Sequence, residues 1–168
     1  MLEPTCGELA EPITVKWNNY IMQKPTPKQL AFLLLMTEEG FYGGSAGGGK
    51  SSALLMAALQ YADVPGYAAL ILRRTYSELS MAGALMDRAQ AWLAGTDAKF
   101  NSETKTWRFP SGATLTFGFL ENDPDKYRYQ SSEFQYIGFD ELTEFTEGQY
   151  RYLFSRLRKL ETATLPLR

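Results

Sequence analysis

Eight consecutive residues, Gly44-Ser45-Ala46-Gly47-Gly48-Gly49-Lys50-Ser51, fit the pattern G-x-x-x-x-G-K-[ST] without a gap. Each fixed position has a chemical reason. Glycines let successive backbone N–H groups turn inward around a phosphate chain, and the helix that follows offers its positive N-terminus to the same anion. Lys50 would reach the β- and γ-phosphates, and the Ser51 hydroxyl would ligate Mg2+. Gly44, Gly47, Gly48, Gly49 and Ser52 complete the candidate nucleotide-binding set. In a chain of this length and average usage the pattern arises by chance on the order of one time in two hundred. The bland alternative is a flexible linker rich in glycine and serine. A linker separates independent units, whereas this cluster lies between an apolar strand candidate at residues 41–42 and an apolar helix candidate at residues 51–61. That is the context a phosphate loop requires.

A second chemical cluster lies far downstream. Phe134-Gln-Tyr-Ile-Gly-Phe139 has the character of a buried strand, and Asp140-Glu141 follows at its C-terminal end. Ligands of open α/β sheets gather at that edge, so Asp140 could face the phosphate loop. Asp140 would hold Mg2+ directly or through water, and Glu141 would polarise the water that attacks the γ-phosphorus. Alternatively, the two carboxylates simply begin the next loop.

The elements that must position these groups follow from patterning. Residues 1–24 are weakly patterned and read as an arm or lead-in, with the nucleotide-binding domain at residues 25–168. Pro25-Thr26-Pro27 offers a helix start, and residues 28–38 are apolar enough for a buried helix. Residues 67–72 form a continuous apolar run of strand length, as expected of a parallel strand covered on both faces. Residues 75–93 predict one long helix. Residues 104–109 and 113–119 alternate around Pro110-Ser111-Gly112 and predict a hairpin. Residues 149–159 predict a closing basic amphipathic helix. The alternation of strands and helices predicts an α/β phosphate-loop NTPase fold, with a largely parallel sheet flanked by helices and an antiparallel hairpin insert.

Composition excludes other chemistry. The 168 residues include no histidine, so imidazole bases, Ser-His-Asp units and zinc sites with histidine ligands are ruled out. The lone Cys6 cannot form an internal disulfide, as suits a reducing compartment. Seventeen basic against 19 acidic residues give a net charge of −2, so no basic coat grips nucleic acid over the whole surface. The longest apolar runs, at residues 30–36 and 53–59, fall far short of the roughly 18 residues needed to span a bilayer. The Met-Leu-Glu-Pro start lacks the pattern of a secretory signal. A soluble intracellular protein is expected.

With both motifs placed, residues 25–158 resemble the N-terminal ATPase domain of the large terminase subunit, the DNA-packaging motor of tailed bacteriophages. The resemblance rests on ordered segments as well as the two motifs. Thr26-Pro-Lys-Gln29-Leu-Ala-Phe32 is similar to the family's segment in which a glutamine reads adenine. Leu70-Ile-Leu-Arg73-Arg74-Thr75 resembles its strand-and-arginine element. Trp107 to Phe117 resembles its hairpin, and Asp123-Pro-Asp-Lys-Tyr-Arg128 and Ser155-Arg156-Leu-Arg158 flank the acidic motif in the family's order. The resemblance implies ATP and Mg2+ as cofactors, with Lys50 and Ser51 on phosphate and metal, Asp140 supporting the metal, and Glu141 as the catalytic carboxylate. It further implies Gln29 as adenine reader and Arg128 as an arginine supplied to a neighbouring subunit's ATP. Against these stand an ordinary solvated glutamine and an ordinary surface arginine between Tyr127 and Tyr129. Implied partners are further copies in a ring on the portal, the portal protein, the small terminase subunit and double-stranded DNA, the last held weakly by this domain alone. The implied setting is the host cytoplasm, without a membrane.

Two departures stand out. Many relatives carry an arginine within the phosphate loop, where this chain has Ser45-Ala46, so extra positive charge must come from elsewhere. The chain closes with Leu165-Pro-Leu-Arg168, near where the family's next strand would begin, which predicts a domain cut short of its last strands and without the nuclease domain. Other readings of the same residues are a helicase, a DNA-repair ATPase, a small-molecule kinase, or a nucleotide-binding module without turnover. A kinase would need a lid of phosphate-gripping arginines, for which Arg151, Arg156 and Arg158 are available.

Overall fold

A computed structural model describes residues 15–45, 47–161, 163 and 165–167. Residues 1–14 of the expected arm, with Cys6, and Ala46 of the glycine loop lie outside the described residues. Strand β1 (Ala68–Arg73) is the axis of the fold. Ala69, Leu70, Ile71 and Leu72 are all buried, because both faces of the strand are covered. β1 pairs in parallel with β4 (Thr114–Phe119) on one side and with β5 (Tyr136–Phe139) on the other. β3 (Thr106–Arg108) runs antiparallel to β4, and β2 (Lys99–Asn101) antiparallel to β3, which gives the order β2-β3-β4-β1-β5.

Alternation along β1 divides the apolar interior. Ala69 and Ile71 join the larger core with α2 (Lys50–Leu59), α4 (Leu85–Leu93) and Phe32 and Leu33 of α1 (Pro27–Leu33). Leu70 and Leu72 join a smaller core with Leu120, Phe134 and Leu153 of α5 (Glu147–Phe154) on the opposite face. Each such leucine contributes about 1.5–3 kcal/mol by leaving water. Residues 15–24 lie on this body: Val15 is buried, Asn18 donates to the Leu59 carbonyl at 2.6 Å, and Tyr20 packs edge-on against Phe109 at 4.7 Å.

The sequence predicts the helix–strand order, but several elements differ. The sheet is mixed, with two parallel and two antiparallel pairings, rather than largely parallel. The predicted hairpin forms, yet its second strand is β4 itself, so the hairpin belongs to the central sheet. The helix expected to run to residue 38 leaves helical geometry after Leu33, and the Thr37 hydroxyl then turns the chain by donating to the Glu39 carbonyl at 2.7 Å. Residues 41–42 form no strand, having no ladder partner, and Phe41 is 71% exposed. The helix expected over residues 75–93 is two, α3 (Tyr76–Ser80) and α4, because Met81 is extended and Gly83 is left-handed at φ 76°. The closing helix begins at Glu147 under a Thr146 cap and ends at Phe154; residues 156–158 instead bond to both sides of the Phe134 peptide.

Candidate functional site

The glycine loop joins the exposed segment at residues 41–43 to α2. Helices α1, α3 and α5 each open with a threonine whose hydroxyl accepts the N–H of the third helical residue. α2 opens differently, with Gly49 left-handed at φ 72°, no side-chain cap and no acidic residue in its first turn. Its N-terminal N–H groups and its positive dipole end are therefore available to an external anion. Gly47, at φ 76°, helps bend the loop into that shape.

Side chains from outside the loop brace it. The Gln29 amide, 1% exposed, donates to the Gly49 carbonyl at 2.9 Å and accepts the Thr26 N–H at 2.9 Å. The approach is so close that a Cβ on Gly49 would lie 2.6 Å from Gln29 Nε2. Beside it on α1, Lys28 Nζ donates to the Gly43 carbonyl at 2.6 Å. The Lys50 ammonium lies back over the loop, donating to the Gly44 and Ser45 carbonyls at 3.2 Å each. Two ammonium groups thus flank residues 43–45, which offers positive charge where the loop lacks an arginine. Residue Ser52 follows a separate course: it is buried, and its hydroxyl accepts from the Arg88 guanidinium on α4, leaving the loop only its backbone N–H.

The carboxylate side of the site is set by the sheet. Leu72 lies opposite Phe139, and the Asp140 N–H donates to the Leu72 carbonyl at 2.9 Å. Arg73 and Asp140 therefore emerge side by side at the carboxyl edge, with Arg73 Nη1 2.5 Å from Asp140 Oδ2. Asp140 is 4% exposed, and Ser51 Oγ donates to it from the start of α2, 3.2 Å from Oδ1 and 3.4 Å from Oδ2. Glu141 follows in the left-handed region at φ 54°, ψ 58°, a conformation costing a non-glycine residue roughly 1–2 kcal/mol. Its exposed side chain borders a cleft of about 380 Å³, whose other walls include Lys50, Asp140, Leu54, Phe139 and Tyr150. In that cleft Tyr150 Oη donates to Glu39 at 2.5 Å; burial, with the neighbouring carboxylate, pushes the phenol up to about 12.

The structure brings together Gly44, Gly49, Lys50, Ser51, Asp140 and Glu141 around the loop and cleft. It does not bring Arg128 to them. That residue lies on the 3-10 segment Asp123–Tyr129, half exposed, paired with Asp125 at 2.9 Å and stacked over Phe119 at 5.1 Å. Gln29 reaches the loop, but its amide is occupied by the backbone. Sequence reading missed two site residues. Lys28 precedes the pattern and carries no local signature. Arg73 had a signal, a cation closing a buried strand at the ligand-binding edge, but its partner depends on the register between β1 and β5.

Chemically, the assembly offers backbone donors and ammonium groups to an anion, and two hard oxygen donors, Ser51 Oγ and Asp140, to a cation. No group of three or more acidic or cysteine side chains able to hold a metal occurs among the described residues. Magnesium commonly uses only one or two carboxylates, with the remaining ligands from water and phosphate.

Comparison with known proteins adds one finding. The family model for the N-terminal part of the terminase large subunit, T4-like-virus type, matches residues 41–164. No curated protein matches, and no solved structure matches. The matched stretch begins at the approach to the loop and runs through both motifs and past α5, and the chain belongs to this terminase large subunit N-terminal family.

Proposed function

We propose that this chain is the ATPase domain of a viral genome-packaging motor, with the phosphate-loop NTPase fold, and that Mg-ATP hydrolysis drives double-stranded DNA into the procapsid. The observation that carries the reading is the hydrogen bond between Ser51 and Asp140, residues 89 apart in sequence. It joins the glycine-loop helix to the acidic strand end, as magnesium-assisted phosphoryl transfer requires. Bound Mg2+ would neutralise phosphate charge as it develops in the transition state.

The protein's own groups divide the remaining work. Backbone N–H groups of residues 47–52 and the start of α2 hold the phosphate chain, and Lys50 leaves the loop carbonyls for the phosphates. Ser51 and Asp140 hold the metal, and Glu141 orients the attacking water and accepts its proton. Gln29 reads the base only if it releases the Gly49 carbonyl. Arg128, held by Asp125 and stacked over Phe119 within its own chain, acts on a neighbouring copy's nucleotide after leaving Asp125. The partners of this reading are further copies in a ring, the portal, the small terminase subunit and DNA, in the host cytoplasm. No helix among the described residues is long and apolar enough to cross a membrane.

Calorimetry of Mg-ATP with the wild-type protein and Lys50→Ala tests the reading. Binding that the variant loses is the expected result; equal affinity in both would overturn the loop assignment. Glu141→Gln should keep binding while hydrolysis by the assembled motor falls by orders of magnitude.

A further inference from the structure

Arg73 is bound in a way that sets it apart from its neighbour. Arg74 is committed to the fold, donating to the Leu120 carbonyl at 2.7 Å and towards Gln149. Arg73 instead spans two carboxylates. Its Nη1 is 2.5 Å from Asp140 Oδ2, and its Nε is 3.8 Å from Glu78 Oε2. The Nε is buried and has no hydrogen-bond partner, a costly condition for an N–H donor. Glu78 is held where it stands, since its Oε2 also accepts the Thr75 N–H at 3.1 Å as part of the α3 capping box. The guanidinium therefore has one complete charge-assisted bond and one that a small rotation would complete.

We propose that Arg73 is a positioning residue of the divalent-metal site: it holds Asp140 while no cation is there and passes to Glu78 when one arrives. The inference rests on the phosphate-loop reading above. Asp140 is almost fully buried, and an unpaired carboxylate in that place would be strongly unfavourable. Arg73 prevents this, and keeps the carboxylate within reach of Ser51. A divalent cation and the guanidinium then compete for the same oxygen. Glu78 lowers the cost of the exchange by accepting the displaced guanidinium and satisfying its Nε. Metal binding is thereby coupled to the start of α3, through the Glu78 side chain of its capping box.

The test is calorimetry of a non-hydrolysable ATP analogue, measured in Mg2+ and in EDTA, with the ratio of the two affinities as the readout. Arg73→Gln removes the competing cation and should raise the ratio about tenfold or more, the scale of one charge-assisted hydrogen bond. Glu78→Gln keeps the capping box, because glutamine serves at that position, but removes the receiving charge, and should lower the ratio. Opposite signs from two substitutions on one ion network are not what simple loss of structure produces. An unchanged or reduced ratio in Arg73→Gln, or shifts of the same sign in both variants, would overturn the proposal. Should Arg73→Gln fail to fold, Glu78→Gln decides alone, and a ratio that does not fall overturns it. Wild-type protein that unfolds cooperatively yet binds no analogue in either buffer would overturn the phosphate-loop reading, and this inference with it. Wild-type binding whose Mg2+ dependence ignores both substitutions would overturn the inference alone.

Discussion

The two halves of the candidate site are held by different physics. The described residues of the glycine loop, 43–45 and 47–49, are largely exposed, and carbonyls there are braced by polar side chains, among them Lys28, Gln29, Tyr42 and Lys50. Asp140, in contrast, closes a strand whose neighbour β1 is buried on both faces, and its own N–H is part of the ladder. The loop can exchange its internal bonds for bonds to a ligand at small cost, because each is a single exchangeable hydrogen bond. The carboxylate edge cannot move without disturbing two apolar cores. One half adapts to what binds, while the other supplies a fixed reference point.

Substitutions can break this contrast. The largest effect should come from Leu72→Ala, which opens a cavity beneath the carboxylate edge and should cost about 2–5 kcal/mol. Urea unfolding measures it; a cost below about 1 kcal/mol would show that the edge is not held by the core beneath it. Gly49→Ala should cost less, roughly 1–2 kcal/mol, for placing a side chain at φ 72° against the Gln29 amide. Gly43→Ala, with open space around it and ordinary backbone geometry, is the matched control within the same loop and should stay within about 0.5 kcal/mol. Equal costs at the two positions would mean that the brace from α1 does not act where the structure puts it.

The smallest effect sharpens the cleft between the halves. Tyr150 is pushed up from near 10 to about 12, as are Tyr20 and Tyr129, in each case chiefly by burial. A raised phenol means that the folded state keeps its proton longer than the unfolded chain does. The resulting stability is complete below pH 10 and is lost as the pH rises towards about 12. Tyr150→Phe should cost only about 0.5–1.5 kcal/mol near neutrality, the net worth of one hydrogen bond. It should also flatten part of the alkaline decline seen in denaturation midpoints. An alkaline decline identical to that of wild type would place Tyr150 outside the cause.

Much of this was legible because the signals are local. The loop pattern, the acidic pair after an apolar strand, and the continuous run that became β1 each depend on a few adjacent residues. The break between α3 and α4 was hidden, since Met81-Ala82 fits a helix by residue type, yet Met81 is extended and Gly83 left-handed. β2 has three exposed residues and leaves no apolar pattern to detect. The pairing of Arg73 with Asp140 comes from strand register, which no stretch of sequence contains by itself. Lys28 and Gln29 illustrate the same limit from the other direction. Their helix was expected, but its crossing over the loop is a tertiary fact.

That crossing bears on how the domain should be cut for study. The family match starts at residue 41, and an engineer trimming to that boundary would retain every residue of both motifs. The handles on Gly43 and Gly49, however, are residues 28 and 29. A chain begun at residue 41 would preserve the chemistry as written and discard the scaffold that shapes it, so the sensible excision point lies upstream of the Thr26 cap.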